Sequence, residues 1–260
     1  MKIVTWNCNG ALRKKLEYID SIGADVLIIQ ECEDPAKSTS IYREWAGNYL
    51  WVGISKNKGI GVFPKKEHVV SKLFWDKTFR ILGINSDSKF LSWSTKDLQL
   101  FIPFTINNKY TVLGVWTKNV KGDQFDYIGQ FWKFLQIHSN DLTGDNIILL
   151  GDFNSNSVWD KYGRWWNHTD VVNDLANMGI KSLYHSQYQE AQGQETIPTF
   201  YLYRNKNKPY HIDYVFLSKH LIQKSKLSIG SFDKWIRESD HMPLSATILD
   251  GPDGTTWERK

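Results

Sequence analysis

The chain has 260 residues, 41% of them hydrophobic and 23% charged, with a net charge of +4 and two cysteines, Cys8 and Cys32. That balance suits one large globular domain and excludes a disordered chain or a disulfide-built miniprotein. No apolar run approaches the ~18 residues of a membrane span, so no membrane association is expected.

A pI near 8.8 is compatible with a polyanionic partner. So few cysteines favour a reducing compartment, and "MKIVTWNCNG" lacks a charged start followed by an apolar core. A cytoplasmic location is therefore expected. The 12 Trp, 12 Tyr and 13 Phe are expected mainly as packing, with a minority free to stack on bases.

In chain order, the first predicted strand is "KIVTWN", 2–7. A helix over 11–22 follows, with Leu12, Leu16, Ile19 and Ile22 on one face. Strands are then predicted at 24–31, 49–55, 59–64, 90–95, 98–106 and 109–117, rich in β-branched and aromatic residues and bounded by Gly, Asn, Asp or Pro. A helix over 123–138 carries Phe125, Ile128, Phe131, Trp132 and Leu135 on one side. Strand 146–152 precedes a helix over 169–180, with Thr169 as its N-cap and Gly179 at its exit. Strands 210–218, 226–232 and 244–249 complete the chain. No linker divides it, so residues 1–250 read as one domain and 251–260 as a polar tail. Strands dominate with helices between them, which suits two packed sheets flanked by helices.

Polar residues stand where apolar strands end. "KIVTWN" finishes on Asn7, "ADVLIIQE" on Glu31, and "NIILLGDFN" on Asp152 and Asn154. Asp213 lies within "HIDYVFLS", and Asp240 and His241 precede the last strand. Singly, each has a plain explanation: a cap, a turn, a satisfied loop histidine. Together they are harder to dismiss, because a buried unpaired carboxylate costs several kcal/mol. Strands lying side by side bring these ends to one rim, where the acids repel unless a cation sits among them. Carboxylates, amides and one histidine, without zinc-type Cys/His spacing, select a hard cation, Mg²⁺ or Mn²⁺. Asp–His pairing orients an imidazole and keeps it protonated, which suits a phosphate neighbour.

Five segments now spell a pattern: "TWNCNG" (5–10), "IIQE" (28–31), "LLGDFN" (149–154), "HIDYVF" (211–216) and "SDHMPL" (239–244). In this order they resemble the signature of the endonuclease/exonuclease/phosphatase superfamily, which includes exonuclease III, abasic-site endonucleases, tyrosyl-DNA phosphodiesterases and inositol-polyphosphate 5-phosphatases. The resemblance implies an α/β fold, a four-layer sandwich of two mixed, mainly antiparallel sheets with flanking helices. It also implies metal-dependent hydrolysis of phosphate esters. Carried over by position, Glu31 is the principal metal ligand, with Asn7 close by and Asp240 as a second carboxylate on the metal side. Asp152 aligns or deprotonates the attacking water, and Asn154 holds that water or a phosphate oxygen. His241 donates to the phosphate, oriented by Asp213.

Trp116 departs from the pattern, since the family usually has Tyr or His there and an indole is neither acid nor base. Asn119 still fits the amide that follows. Segment 197–216 lies where the family places a substrate loop, so Thr199, Phe200 and His211 join Trp116 and Asn119 as expected substrate contacts. Arg204, Lys206 and Lys208 are placed to meet phosphates, and "WDKYGRWWNHTD" (159–170) offers a second aromatic, basic loop. The leading expectation is a Mg²⁺-dependent nuclease or DNA phosphodiesterase with nucleic acid, DNA first, as its substrate. A phosphatase for a small molecule or lipid headgroup is the alternative. A binding module that kept the fold without catalysis is disfavoured, because every acid and the histidine are present.

Overall fold

A computed structural model describes residues 1–85, 88 and 90–249; the polar tail expected at 251–260 lies outside them. One six-stranded sheet has the order Ser225–Ile229, Leu244–Ile248, Lys2–Asn7, Val26–Cys32, Lys58–Pro64 and Leu50–Ser55. The other has the order Ile180–Ser182, Asp213–Ser218, Ile147–Asp152, Tyr110–Trp116, Phe101–Ile106 and Val70–Lys72. In each sheet the two middle strands run parallel and the flanking pairs are antiparallel. The chain is a four-layer α/β sandwich.

The strand Ile147–Asp152 shows why the sheets stack this way. Ile148 and Leu150 join the cluster between the sheets with Ile3, Ile28, Val112 and Val215. Ile147 and Leu149 face outward to Phe131, Leu135 and Leu175 of the helices Ile128–His138 and His168–Asn177. Successive side chains of a strand point to opposite faces, so a strand covered on both sides must be apolar throughout. Across the molecule, Val4, Leu27 and Ile29 face Leu12, Ile19 and Tyr42 in the same manner. Each such aliphatic side chain contributes about 1.5–3 kcal/mol on burial, and Leu150→Ala is the kind of change that costs ~2–5 kcal/mol. Cys8 and Cys32 are buried free thiols, and burial pushes Cys8 up to about 12.

Several boundaries differ from the sequence reading, each for a local reason. The 11–22 helix is a 3-10 turn at Leu12–Lys14 and a short helix at Leu16–Asp20, broken where Lys15 leaves helical geometry. Lys15 Nζ is drawn to the carbonyls of Cys8 and Glu238. The 123–138 helix begins only at Ile128, after a turn in which Asp123 accepts from the Phe125 amide. The helix expected over 169–180 has Asn167, not Thr169, as its N-cap, because Asn167 and Asp170 form a reciprocal capping box. It ends at Asn177, and Ile180–Ser182 is a strand. Among the described residues, no helix is long and apolar enough to cross a membrane.

Candidate active site

The parallel central pairs create the site. Lys2–Asn7 and Val26–Cys32 run together in one sheet, Ile147–Asp152 and Tyr110–Trp116 in the other. Their carboxyl ends carry Asn7, Glu31, Asp152 and Trp116, at the rim where open α/β sheets place ligands. Asp213 opens the antiparallel strand directly opposite Asp152. His241 comes three residues before Leu244–Ile248, the antiparallel neighbour of Lys2–Asn7.

Backbone geometry at this rim is unusual. A Cβ at Gly151 would lie 1.8 Å from the Val115 carbonyl oxygen, so only glycine lets the strand carry Asp152 past that neighbour. Glu31 has a φ of 60° at a bulge between Gln30 and Cys32, and Asn154 has a φ of 44°. A non-glycine residue in that region costs roughly 1–3 kcal/mol. The bulge turns Glu31 out of the strand's alternation, toward the Asn7 side chain.

The polar groups form one hydrogen-bonded unit across the two sheets. Asn7 Nδ2 donates to Asp152 Oδ2 at 2.9 Å and lies 3.4 Å from Glu31 Oε1. Asp152 also accepts from the Asn154 amide and from Asn154 Nδ2, both at 2.9 Å. His241 Nδ1 donates to Asp213 Oδ2 at 2.9 Å and Oδ1 at 3.1 Å. Since a carboxylate only accepts, Nδ1 carries the proton. His241 Nε2 stands 4.0 Å from Asp152 Oδ2.

Charge follows from that packing. Asp152 is fully buried, and burial pushes its carboxyl up to about 7; His241 opposes the rise and Asp213 adds to it. Burial pushes the His241 imidazole down, but the Asp213 and Asp152 carboxylates outweigh it and raise its pKa to about 9. Near pH 8 the pair is a carboxylate beside an imidazolium.

Asn7, Asp152, Asn154, Asp213 and His241 thus converge, with Glu31 at the edge. Asp240 is half-buried and accepts from Asn9 Nδ2 at 3.0 Å, next to Asn7. Phe200 lays its ring 4.6 Å from that of His241. Trp116 is buried at the rim.

Three expected substrate contacts are engaged with other partners. Asn119 is exposed and donates to Asp126 at 2.8 Å, outside the unit, because its loop folds back on that carboxylate. Thr199 is fully buried, its hydroxyl oxygen taken by the backbone amides of Ile212 and Asp213. His211 is 3% exposed and donates from Nδ1 to the Ile197 carbonyl at 2.8 Å, under the ring of Tyr184; burial lowers its pKa.

Sequence reasoning missed four neighbours. Lys58 Nζ pairs with Glu31 Oε2 at 2.7 Å. Ser239 accepts from the His241 amide and donates to the Asn7 carbonyl, tying the two motifs together. Tyr210 and Trp159 continue the ring contact of Phe200, with centroids 6.3 Å and 5.3 Å apart in turn. Ser239, Tyr210 and Trp159 lay inside segments already marked in the sequence; only the hairpin turn that brings Lys58 to Glu31 was without a sequence signal.

The donor chemistry fits a hard divalent cation. Donor atoms of Asp152, Asp213 and His241 lie within 4.8 Å of one another. Asp213 and His241 are already bonded to each other, whereas Glu31 is a partly exposed carboxylate that takes the ammonium of Lys58. A partly exposed carboxylate that already takes a cation at this rim offers the oxygen donors a hard ion prefers.

The family model described as the Endonuclease/Exonuclease/phosphatase family matches residues 4–241. No curated protein matches the sequence. Among solved structures, the chain is similar to the 3′ phosphatase NExo from Neisseria bound to a product DNA hairpin, at 18% identity and a TM-score of 0.66, covering 96% of this chain and 99% of that one. It is similar to an AP endonuclease from Archaeoglobus fulgidus at 16% identity and a TM-score of 0.61, covering 95% and 99%. Truncated TDP2 from Caenorhabditis elegans follows at 14% identity and a TM-score of 0.60, covering 95% and 96%.

Proposed function

The chain belongs to the endonuclease/exonuclease/phosphatase family, and from that premise we propose that it is a divalent-metal-dependent phosphoester hydrolase acting on nucleic acid, DNA first, as a nuclease or DNA phosphodiesterase. One observation carries the reading: Asp152 Oδ2 and His241 Nε2 face each other at 4.0 Å from different sheets, each fixed by its own partners. A proton acceptor and a cationic donor at that spacing serve a reaction in which water attacks phosphorus and charge grows on the phosphate oxygens.

Asp152 accepts the proton of the attacking water, held in place by the amides of Asn7 and Asn154. Asp213 keeps His241 protonated and aimed, and His241 donates from Nε2 to a phosphate oxygen. Glu31, with Asn7 and Asp240, would hold Mg²⁺ or Mn²⁺, which when bound neutralises phosphate charge.

The choice of nucleic acid rests on what surrounds this centre. Rings of Phe200, Tyr210 and Trp159 lead outward from His241, and Trp159 is 44% exposed. Arg204, Lys206 and Lys208 lie in the connection between Phe200–Tyr201 and Pro209–Tyr210. Stacked bases contribute about 1–3 kcal/mol each on such rings. The relatives named for DNA chemistry point the same way. Residues 1–250 read as one domain, since the cluster between the sheets draws on residues from Ile3 to Ile248. Two buried free thiols agree with a reducing, cytoplasmic setting.

The test is a substrate panel on one purified preparation: single-stranded, duplex and abasic DNA, RNA, and phosphorylated small molecules, each with Mg²⁺ or EDTA. Metal-dependent cleavage of nucleic acid is expected. Activity confined to small phosphoesters would transfer the assignment to a phosphatase, and hydrolysis in EDTA would remove the metal from it.

A further inference from the structure

The Asp213–His241 pair joins two sheets that share no strand ladder. Asp213 opens Asp213–Ser218 in one, and His241 precedes Leu244–Ile248 in the other. Something outside the ladders must set how these two ends face each other. One residue bonds to both. Thr199 Oγ1 accepts from the amides of Ile212 and Asp213, each at 3.0 Å. Its carbonyl accepts from the Met242 amide at 2.7 Å, and its own amide donates to Tyr210 at 2.9 Å. The next residue, Phe200, bridges to His241 itself.

We infer that Thr199 is a positioning residue, whose hydroxyl oxygen fixes the Asp213 main chain and so aims the carboxylate at His241. The inference rests on reading this pair as part of the hydrolytic centre. A hydroxyl oxygen has two lone pairs, and the two amides take both. The two amides sit where the expected 210–218 strand is interrupted, between Pro209–Tyr210 and Asp213–Ser218. The His211 carbonyl just before them is held by Asn156 Nδ2 and the Tyr214 hydroxyl, both at 3.0 Å. Without the Thr199 oxygen, two buried amides lack an acceptor and the peptide between His211 and Asp213 turns to find one. The carboxylate that holds His241 Nδ1 turns with it.

The test compares Thr199→Val, which keeps the shape and removes the acceptor, with Thr199→Ser, which keeps the acceptor. In T199V, kcat on a DNA substrate is expected to fall roughly 10²-fold with KM unmoved, the effect of an ångström-scale misplacement. T199S is expected to restore most of kcat. A second readout needs no turnover: the downfield Nδ1 proton of His241 in the NMR spectrum, assigned by its loss in His241→Gln. It is expected in wild type and T199S, and displaced or lost in T199V. If T199V does not fold, Thr199→Ala carries the same expectations. An unmoved Nδ1 signal in the acceptor-free variant, or T199S as impaired as T199V, would overturn the inference. A native enzyme inactive on every substrate but with a Thr199-dependent Nδ1 signal would instead count against the proposed hydrolysis alone.

Discussion

Replacing Asp213 with asparagine removes one negative charge 2.9 Å from His241 Nδ1 while keeping the volume. The imidazole stands at about 9 against an ordinary 6.5, held there by Asp213 first and Asp152 second against the downward push of burial. That difference is roughly 3 kcal/mol, at about 1.4 kcal/mol for each tenfold in proton affinity. With Asp213 neutral, burial is opposed only by the more weakly coupled Asp152 and Asp240, and the imidazole falls; a fall as far as its ordinary 6.5 sets the scale of the effect. At pH 8 the protonated fraction then drops from ~0.9 to ~0.03, a loss of about 30-fold before any loss of aim. At pH 6 the two fractions differ by less than ~1.5-fold. Asp213 also raises Asp152, so the acid limb of the pH–rate profile moves downward as well.

The assay is kcat against pH for wild type and D213N on one DNA substrate at fixed metal. Wild type should rise as Asp152 loses its proton and fall as His241 loses its own near pH 9, with bound metal drawing the acid limb below 7. Both limbs should lie lower in D213N. Stability has a matching signature: the charged imidazole stabilises the fold fully below its unfolded pKa, and that contribution is lost as pH rises through about 9. D213N should therefore lose more melting temperature near pH 6 than near pH 9. An alkaline limb that stays near 9 in D213N would refute the assignment of His241's charge to Asp213.

Other expectations test the remaining parts. Asp152→Asn should lower kcat by ~10²–10⁴-fold, because an amide cannot take a proton from the attacking water; near-native turnover removes Asp152 from the chemistry. Glu31→Gln should weaken Mn²⁺ binding, followed by electron paramagnetic resonance without substrate, by ~10-fold or more, since even second-shell losses cost that much; unchanged affinity would place the ion elsewhere. Trp159→Ala should weaken single-stranded DNA binding by about 1 kcal/mol, the low end for stacking because the ring is 44% exposed, with kcat unaffected. Equal affinity at fixed salt would take Trp159 out of the binding surface.

Particular elements show what was legible. Runs such as 147–150 are apolar at every position, and such a run forces cover on both faces, hence two sheets with helices outside. A carboxylate at the end of such a run is equally readable, because its cost demands a partner. Helix ends were read less well: Thr169 and Asn167 are both acceptable caps, and only the reciprocal bonds of Asn167 with Asp170 decide between them. Thr199 was readable as a polar residue in a substrate segment, but not as an acceptor turned inward to two amides.

The amino-acid order alone determined the covered sheets and which polar residues stand at their strand ends, because burial preference belongs to the residue itself. Only the tertiary structure decided which of those groups meet, which oxygen faces which proton, and that His241 is raised while His211 is lowered. Those are matters of distance across two sheets, and an electrostatic interaction is fixed by separation and burial, which sequence spacing does not encode.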